Sequence, residues 1–270
     1  MVFGINPFIE FSIENNNDRL SRSASLIVEN YLDMLPETPW INANNWLAGV
    51  GTGKNSKINS EGKNIVGASF AACLGNALLF DMFLKRKLII TIRSRYSLYD
   101  FGYSESVKHL NNPENVGIIN VGKILQIGCG AVGSSLAYLL SIQDWTGSLT
   151  LIDFDTVKTP NCSSSLVFSA LDSVDNRLKI DCCEEILQIT RVNKFNGDYS
   201  DFLKSSLLNY DIILCLANER NIWSTIQNNY PPIVLHATTN DSWGINMGRH
   251  IPIKEWCILC RFKDELKTNL

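Results

Sequence analysis

Three glycines at G-x-G-x-x-G spacing, Gly128, Gly130 and Gly133, lie in the run IGCGAVGSS. This spacing suits a backbone that wraps an anion. Gly128 permits a tight turn, Gly130 leaves room for a phosphate beside the main chain, and Gly133 lets the next helix pack closely on the preceding strand. Ala131 and Val132 open that helix, whose first N–H groups and positive dipole end face the phosphate. Asp153 follows twenty residues after Gly133, where an acid accepts hydrogen bonds from ribose hydroxyls. Phosphate plus ribose implies a nucleotide, and these residues alone leave NAD and ATP both open.

A second glycine-rich run, GVGTGK at Gly49–Lys54, does not meet the demands of a Walker loop. Ala48 stands where the first glycine is needed, and Asn55 stands where Ser or Thr would reach magnesium. It reads as a turn.

The elements that must position these residues follow from periodicity. KILQI is a short apolar run before the loop, AVGSSLAYLLSI a helix after it, and SLTLID a second strand ending in acid. A helix is expected from Asp175 to about Thr190, with Leu178, Cys182, Ile186 and Ile189 on one face. DIILCLA reads as a buried strand, NERNIWSTIQNN as a helix and PPIVLHATT as a strand. This alternation predicts an α/β, Rossmann-like, doubly wound and mainly parallel sheet over 119–270. Residues 1–118 differ in texture, rich in Asn and Ser, and read as a smaller α+β accessory region. Helices are expected over Ser23–Leu35 and from Ile65 to about Lys87, and strands over Trp46–Gly49 and Lys87–Arg93. KHLNNPENVGI reads as a linker.

The 270 residues are 45% hydrophobic and 19% charged with a net charge of −3. That composition suits a packed soluble core and gives no basic face for nucleic acid. The apolar run Ser69–Leu84 is interrupted by Asn76 and Asp81 and is short for a membrane span. No signal peptide is visible, and the eight cysteines lack a disulfide framework. Reduced thiols in a cytoplasmic protein are expected.

The residues beyond Asp153 narrow the chemistry. DFDTVKTPN, with Asp155, Val157 and Asn161, and then Lys179 on the expected helix, resembles the ubiquitin-activating-enzyme-like ThiF/MoeB/HesA-type adenylyltransferases over about 120–262. HATTNDSWGINMGRHIP resembles bacterial members of that group. The resemblance implies ATP with Mg2+ as cofactor and a ubiquitin-like or sulfur-carrier protein as partner. The partner's C-terminal carboxylate would attack the α-phosphate and pyrophosphate would leave. It implies that Lys179 and Asn161 are catalytic, Lys179 neutralising charge on the phosphates. Gly128, Gly130, Ala131, Val132, Gly133, Asp153, Asp155, Asn161, Lys179 and Asn218 would hold the nucleotide. A homodimer is implied, in some members with an N-terminal arginine reaching the partner's site; Arg19, Arg22 and Arg93 are the candidates here.

The pattern departs from the family in places. Ser164 stands at an arginine position, with Arg177 as a stand-in, and Ala217 stands where a metal-binding Asp is usual. A catalytically impaired ATP- or partner-binding protein is therefore the alternative reading. An NAD(P)-dependent oxidoreductase is a third reading, disfavoured by DFDTVKTPN. Cys257 and Cys260 resemble the family's first CxxC, half of a zinc site. Absent zinc, ligands from a partner chain and a C-terminally short chain all stay open. Cys162 is the best candidate for a reactive thiol, and His236 and His250 are weaker site candidates.

Overall fold

Apolar residues alternate across the strands of residues 119–239, and each set of alternate side chains meets its own layer of helices. In this computed structural model the described residues are 27–28, 39–53, 64–83, 93–114, 117–187, 191–205, 209–217, 220–229, 231–239, 245–255 and 258. They divide into two units, within 13–117 and within 118–270.

The second unit is built on six strands: β6 (Ile119–Ile127), β7 (Trp145–Ile152), β8 (Val192–Phe195), β9 (Ile212–Cys215), β10 (Val234–Thr239) and β11 (Ile245–His250). Their order is β11-β10-β9-β6-β7-β8. All neighbours are parallel except β10 and β11. Helices α2 (Ala131–Ile142) and α4 (Lys179–Leu187) cover one face, where Leu149, Leu151, Leu214, Ala137, Ile180 and Leu187 are buried together. Helices α5 (Tyr199–Ser205) and α6 (Arg220–Asn228) cover the other, over Leu125, Ile127, Ile213 and Val234. Each fully buried leucine contributes roughly 1.5–3 kcal/mol of transfer free energy. The doubly wound, mainly parallel α/β fold expected from the sequence is therefore present.

From β6 the chain steps to β7 and β8 on one side, then returns to β9 and β10 on the other. The carboxyl ends of β6 and β9 thus form the switch point of the sheet, where open α/β sheets take their ligands.

Several local expectations change. The helix expected from Asp175 starts instead at Lys179, after the short α3 (Ala170–Val174). The reason is an antiparallel bridge between Thr156 and Leu178, which holds Leu178 in an extended pairing just before the helix. Strand β11 and helix α5 were not anticipated; both are short or mixed in polarity and give little periodic signal.

The first unit is a five-stranded sheet in the order β1-β2-β3-β4-β5: β1 (Ile27–Val28), β2 (Pro39–Asn44), β3 (Leu47–Thr52), β4 (Arg93–Ser97) and β5 (Gly102–Ser104). Helix α1 (Ile65–Phe83) lies on β2 and β3. It buries a stripe of small residues, Gly67, Ala71 and Gly75, followed by Leu78. Ile27–Val28 is strand rather than the expected helix, and the rest of that helix lies outside the described residues. Gly49–Thr52 is strand rather than turn. Most of the strand expected over Lys87–Arg93 also lies outside the described residues; β4 begins at Arg93. Among the described residues no helix is long and apolar enough to cross a membrane.

Candidate nucleotide site

The glycine loop turns out of β6 as its spacing demands. Gly128 has φ +97, and a Cβ there would meet Ala217 N at 2.9 Å. Gly133 faces the Gly128 carbonyl so closely that any side chain would displace backbone. Gly130 is different: a Cβ added to it meets nothing within 4 Å. That open side is where a ligand can approach. Gly130 is also the N-cap residue of α2, and no side chain caps this helix end. The first-turn N–H groups are thus left for an anion.

Gln126 supports the loop from below. It is fully buried, and its Nε2 donates to the carbonyls of Gly128 (3.1 Å) and Gly133 (3.2 Å). Sequence reasoning passed over it, although a glutamine inside the apolar run KILQI was a usable signal.

Asp153 closes the loop from the end of β7. One carboxylate oxygen accepts the Cys129 N–H at 2.6 Å and the other accepts the Asp155 N–H at 2.8 Å. Each oxygen can accept a further bond, so ribose hydroxyls remain within its capacity.

Lys179 is brought to this acid by the bridge that delays α4. Its backbone N–H donates to the Asp155 carbonyl at 3.0 Å, and its Nζ donates to Asp155 Oδ2 at 2.7 Å. The Lys179 side chain is 9% exposed and that of Asp155 is 54% exposed. The ammonium is therefore stripped of most of its water while its partner carboxylate stays solvated.

These residues line one cleft of about 260 Å³ at the carboxyl ends of β6, β7, β8, β9 and β10. Of the residues singled out in the sequence, Gly128, Gly130, Ala131, Val132, Asp153, Asp155 and Lys179 line it, and Gly133 does not. Asp198, Tyr199 and Thr239 line it as well and were not foreseen. Tyr199 is buried and its hydroxyl has no hydrogen-bond partner among the described residues. Burial pushes that phenol's pKa upward. The cleft holds three carboxylates, Asp153, Asp155 and Asp198, and among its described lining Lys179 is the sole cation.

Other expected residues lie elsewhere. Asn161 does not line the cleft; it sits in a 3-10 turn after β7, where its side-chain oxygen accepts the Lys158 N–H at 2.8 Å. Arg177 is committed to Asp172 (2.8 Å) and Glu185 (2.6 Å), so it does not replace the family arginine. Asp172 is held below the usual carboxylate range: burial opposes this, but hydrogen bonds from Ser169 and Arg177 outweigh it. Cys162 faces the Ser169 carbonyl at 3.1 Å and is not a cleft residue. Cys129 is buried against Cys183, and that contact, with burial, pushes its thiol pKa well up. Burial pushes Cys182 up to about 12. Neither thiol has the depressed pKa of a nucleophile. His236 and His250 are buried in β10 and β11, away from the cleft lining. Asn218, Cys257, Cys260, Arg19 and Arg22 lie outside the described residues, and the side chain of Arg93 is likewise not described.

No family model and no curated protein matches the chain. Among solved structures, E. coli MccB with ATP is 21% identical over 54% of this chain and 46% of that chain, with a TM-score of 0.43. E. coli MccB with MccA-N7isoAsn is 19% identical over 55% and 49%, with a TM-score of 0.44. PaaA is 20% identical over 44% and 38%, with a TM-score of 0.37. The chain spans about half the length of the MccB chains. These scores are low, and the fold described above rests on strand order and register.

Proposed function

We propose that this chain binds ATP in the cleft and adenylates a C-terminal carboxylate, with a ubiquitin-like or sulfur-carrier protein as substrate. The observation that carries this reading is Lys179. It is buried, lies 2.7 Å from Asp155, and shares the cleft with an uncapped helix N-terminus and the Asp153 carboxylate. Such a set binds phosphate at one end and ribose at the other.

The chain's residues divide the work. The α2 N-terminus and the open side of Gly130 receive phosphate oxygens. Asp153 orients the ribose. Lys179 stabilises the negative charge that builds when the carboxylate attacks the α-phosphate, and leaving pyrophosphate carries that charge away. Asp155 and Asp198 are hard oxygen donors on the cleft wall and fit Mg2+, which would supply charge neutralisation on the phosphates. A cleft with three carboxylates and one lysine needs such a cation to hold a triphosphate. Asn161 would join the site only by giving up its contact with Lys158. Homodimerisation and a cytoplasmic setting belong to the same reading.

Ala217 lines the cleft without a carboxylate, and Arg177 is tied to Asp172 and Glu185. These two observations favour a second reading, in which the nucleotide or the partner binds but turnover is slow or lost. Thermal-shift protection by a non-hydrolysable ATP analogue, and none by NAD, is expected under both readings; protection by NAD alone would overturn both. ATP–pyrophosphate exchange with a cognate carrier then separates them, and brisk exchange sinks the second.

A further inference from the structure

The cleft draws its walls from both faces of the sheet. Lys179 comes from α4, and Ala131 and Val132 from α2, the two helices that cover one face. Ile127, Ile152, Tyr199, Ala217 and Ile222 also line it, and these pack together on the opposite face, with α5 and α6. One side of the cleft thus carries the uncapped helix end and the ammonium, and the other is apolar. A phosphate belongs on the first side. A flat, weakly polar ring belongs on the second.

Tyr199 puts a polar group on that apolar side. It opens α5, and the start of this helix is anchored. Asp198 Oδ1 accepts the Asp201 N–H at 2.8 Å, and Phe202 rests edge-on against Phe195 with ring centroids 5.2 Å apart. Tyr199 itself is 1% exposed, and its hydroxyl meets no partner among the described residues. Burial, with a smaller effect of the Cys215 thiol, raises the phenol's pKa. It is therefore protonated at neutral pH and available as a donor. A buried donor without an acceptor is a standing cost to the fold, and phenylalanine would fill the same space without that cost. Packing alone gives no reason for the hydroxyl.

We propose that Tyr199 is a specificity residue for the nucleobase: its hydroxyl donates to a ring nitrogen of adenine bound against Ile127, Ile152, Ala217 and Ile222. This rests on the ATP reading above and assigns the part of ATP that the apolar side takes. The hydroxyl lies just beneath the cleft wall, and the side chain turns to meet the base as it enters. Adenine offers N1, N3 and N7 as ring acceptors. A site that keeps a buried donor for one of them rejects a base with C–H at that place, because the donor is then left unpaired.

The test measures ATP binding to the full chain by calorimetry, with no carrier protein present. Inorganic tripolyphosphate serves as the probe that has no base. Tyr199→Phe keeps the ring and removes the hydroxyl. It should bind ATP roughly tenfold more weakly and tripolyphosphate equally well. Its melting temperature without nucleotide should hold or rise. ATP analogues with N1, N3 or N7 replaced by C–H are then compared. One of them should bind the unmodified chain roughly tenfold more weakly than ATP does, and for that analogue Tyr199→Phe should cost nothing further. Equal ATP affinity in Tyr199→Phe and the unmodified chain overturns the proposal and leaves the ATP reading standing. Equal affinity of the unmodified chain for ATP and all of the analogues does the same, and that measurement decides if the variant does not fold. A joint fall in tripolyphosphate affinity and melting temperature would make Tyr199 a structural residue and also overturn the proposal. No binding of ATP by the unmodified chain overturns this proposal and the ATP reading together.

Discussion

The candidate cleft and the histidine pair, His236 and His250, belong to the same six-stranded sheet and are built in opposite ways. The cleft sits at strand ends. Its polar groups are backbone N–H groups and partly solvated carboxylates, held by short contacts within about fifty residues of chain. The histidine pair sits on the sheet surface under other residues, and its partners face each other only through the antiparallel register of β10 and β11. A cleft of the first kind can lose a ligand-binding group and still fold, because water replaces the lost contact. A buried pair of the second kind has no water to fall back on, so its loss falls on stability.

The strongest challenge to that contrast is Lys179→Ala. Pyrophosphate exchange should fall by roughly 10²–10³-fold, the range for removing one charge-stabilising group. Stability should change by less than about 1 kcal/mol, because Asp155 is more than half exposed and keeps its solvation. A large fall in urea-unfolding free energy would make Lys179 a structural residue instead.

Gln126→Leu tests whether the loop's support belongs to the cleft or to the core. Two hydrogen bonds to loop carbonyls are removed in a buried place, so chemical denaturation should show a loss of about 1–3 kcal/mol. ATP-analogue affinity should fall with it, as measured by calorimetry.

Gly130→Ala separates the two roles most cleanly. Its Cβ meets nothing in the protein and its φ of −69 suits alanine, so the melting temperature should hold. The methyl group would occupy the phosphate approach, and analogue affinity should drop about tenfold, or about 1.4 kcal/mol. Unchanged affinity would place the phosphates elsewhere.

The smallest expected effect is a pH-dependent one at Asp172, whose folded pKa is depressed. A depressed acid stabilises the fold above its unfolded value of about 3.9 and loses that contribution as pH falls through its folded value. Arg177→Met should therefore cost about 1 kcal/mol at pH 7, since the arginine is partly exposed. The cost should shrink toward zero near pH 2 in urea titrations; an equal cost at both pH values would assign the loss to packing.

Much of the cleft could be read before any coordinates. Gly128, Gly130, Gly133 and Asp153 lie within 26 residues, and each obeys a rule of local geometry: positive φ, open approach, close packing, strand-end acid. What sequence reasoning misplaced were residues whose alternatives are non-local or compete locally. Arg177 looked available until Glu185 and Asp172 were seen to hold it. Asn161 was expected at the nucleotide, and its side chain instead accepts the Lys158 N–H within the turn after β7. Asp198 and Tyr199 follow the short strand β8, whose mixed polarity gave no periodic signal.

The sequence by itself determined the strand–helix alternation around the glycine loop and the doubly wound sheet, because strand and helix periodicity and glycine's backbone freedom act over a few residues. Only the tertiary structure decided that Lys179 meets Asp155, that Gln126 carries the loop, and that His236 and His250 touch. Those contacts depend on strand register and on one antiparallel bridge. Register is chosen by the burial of a whole face at once, a cooperative choice that no short stretch of sequence records.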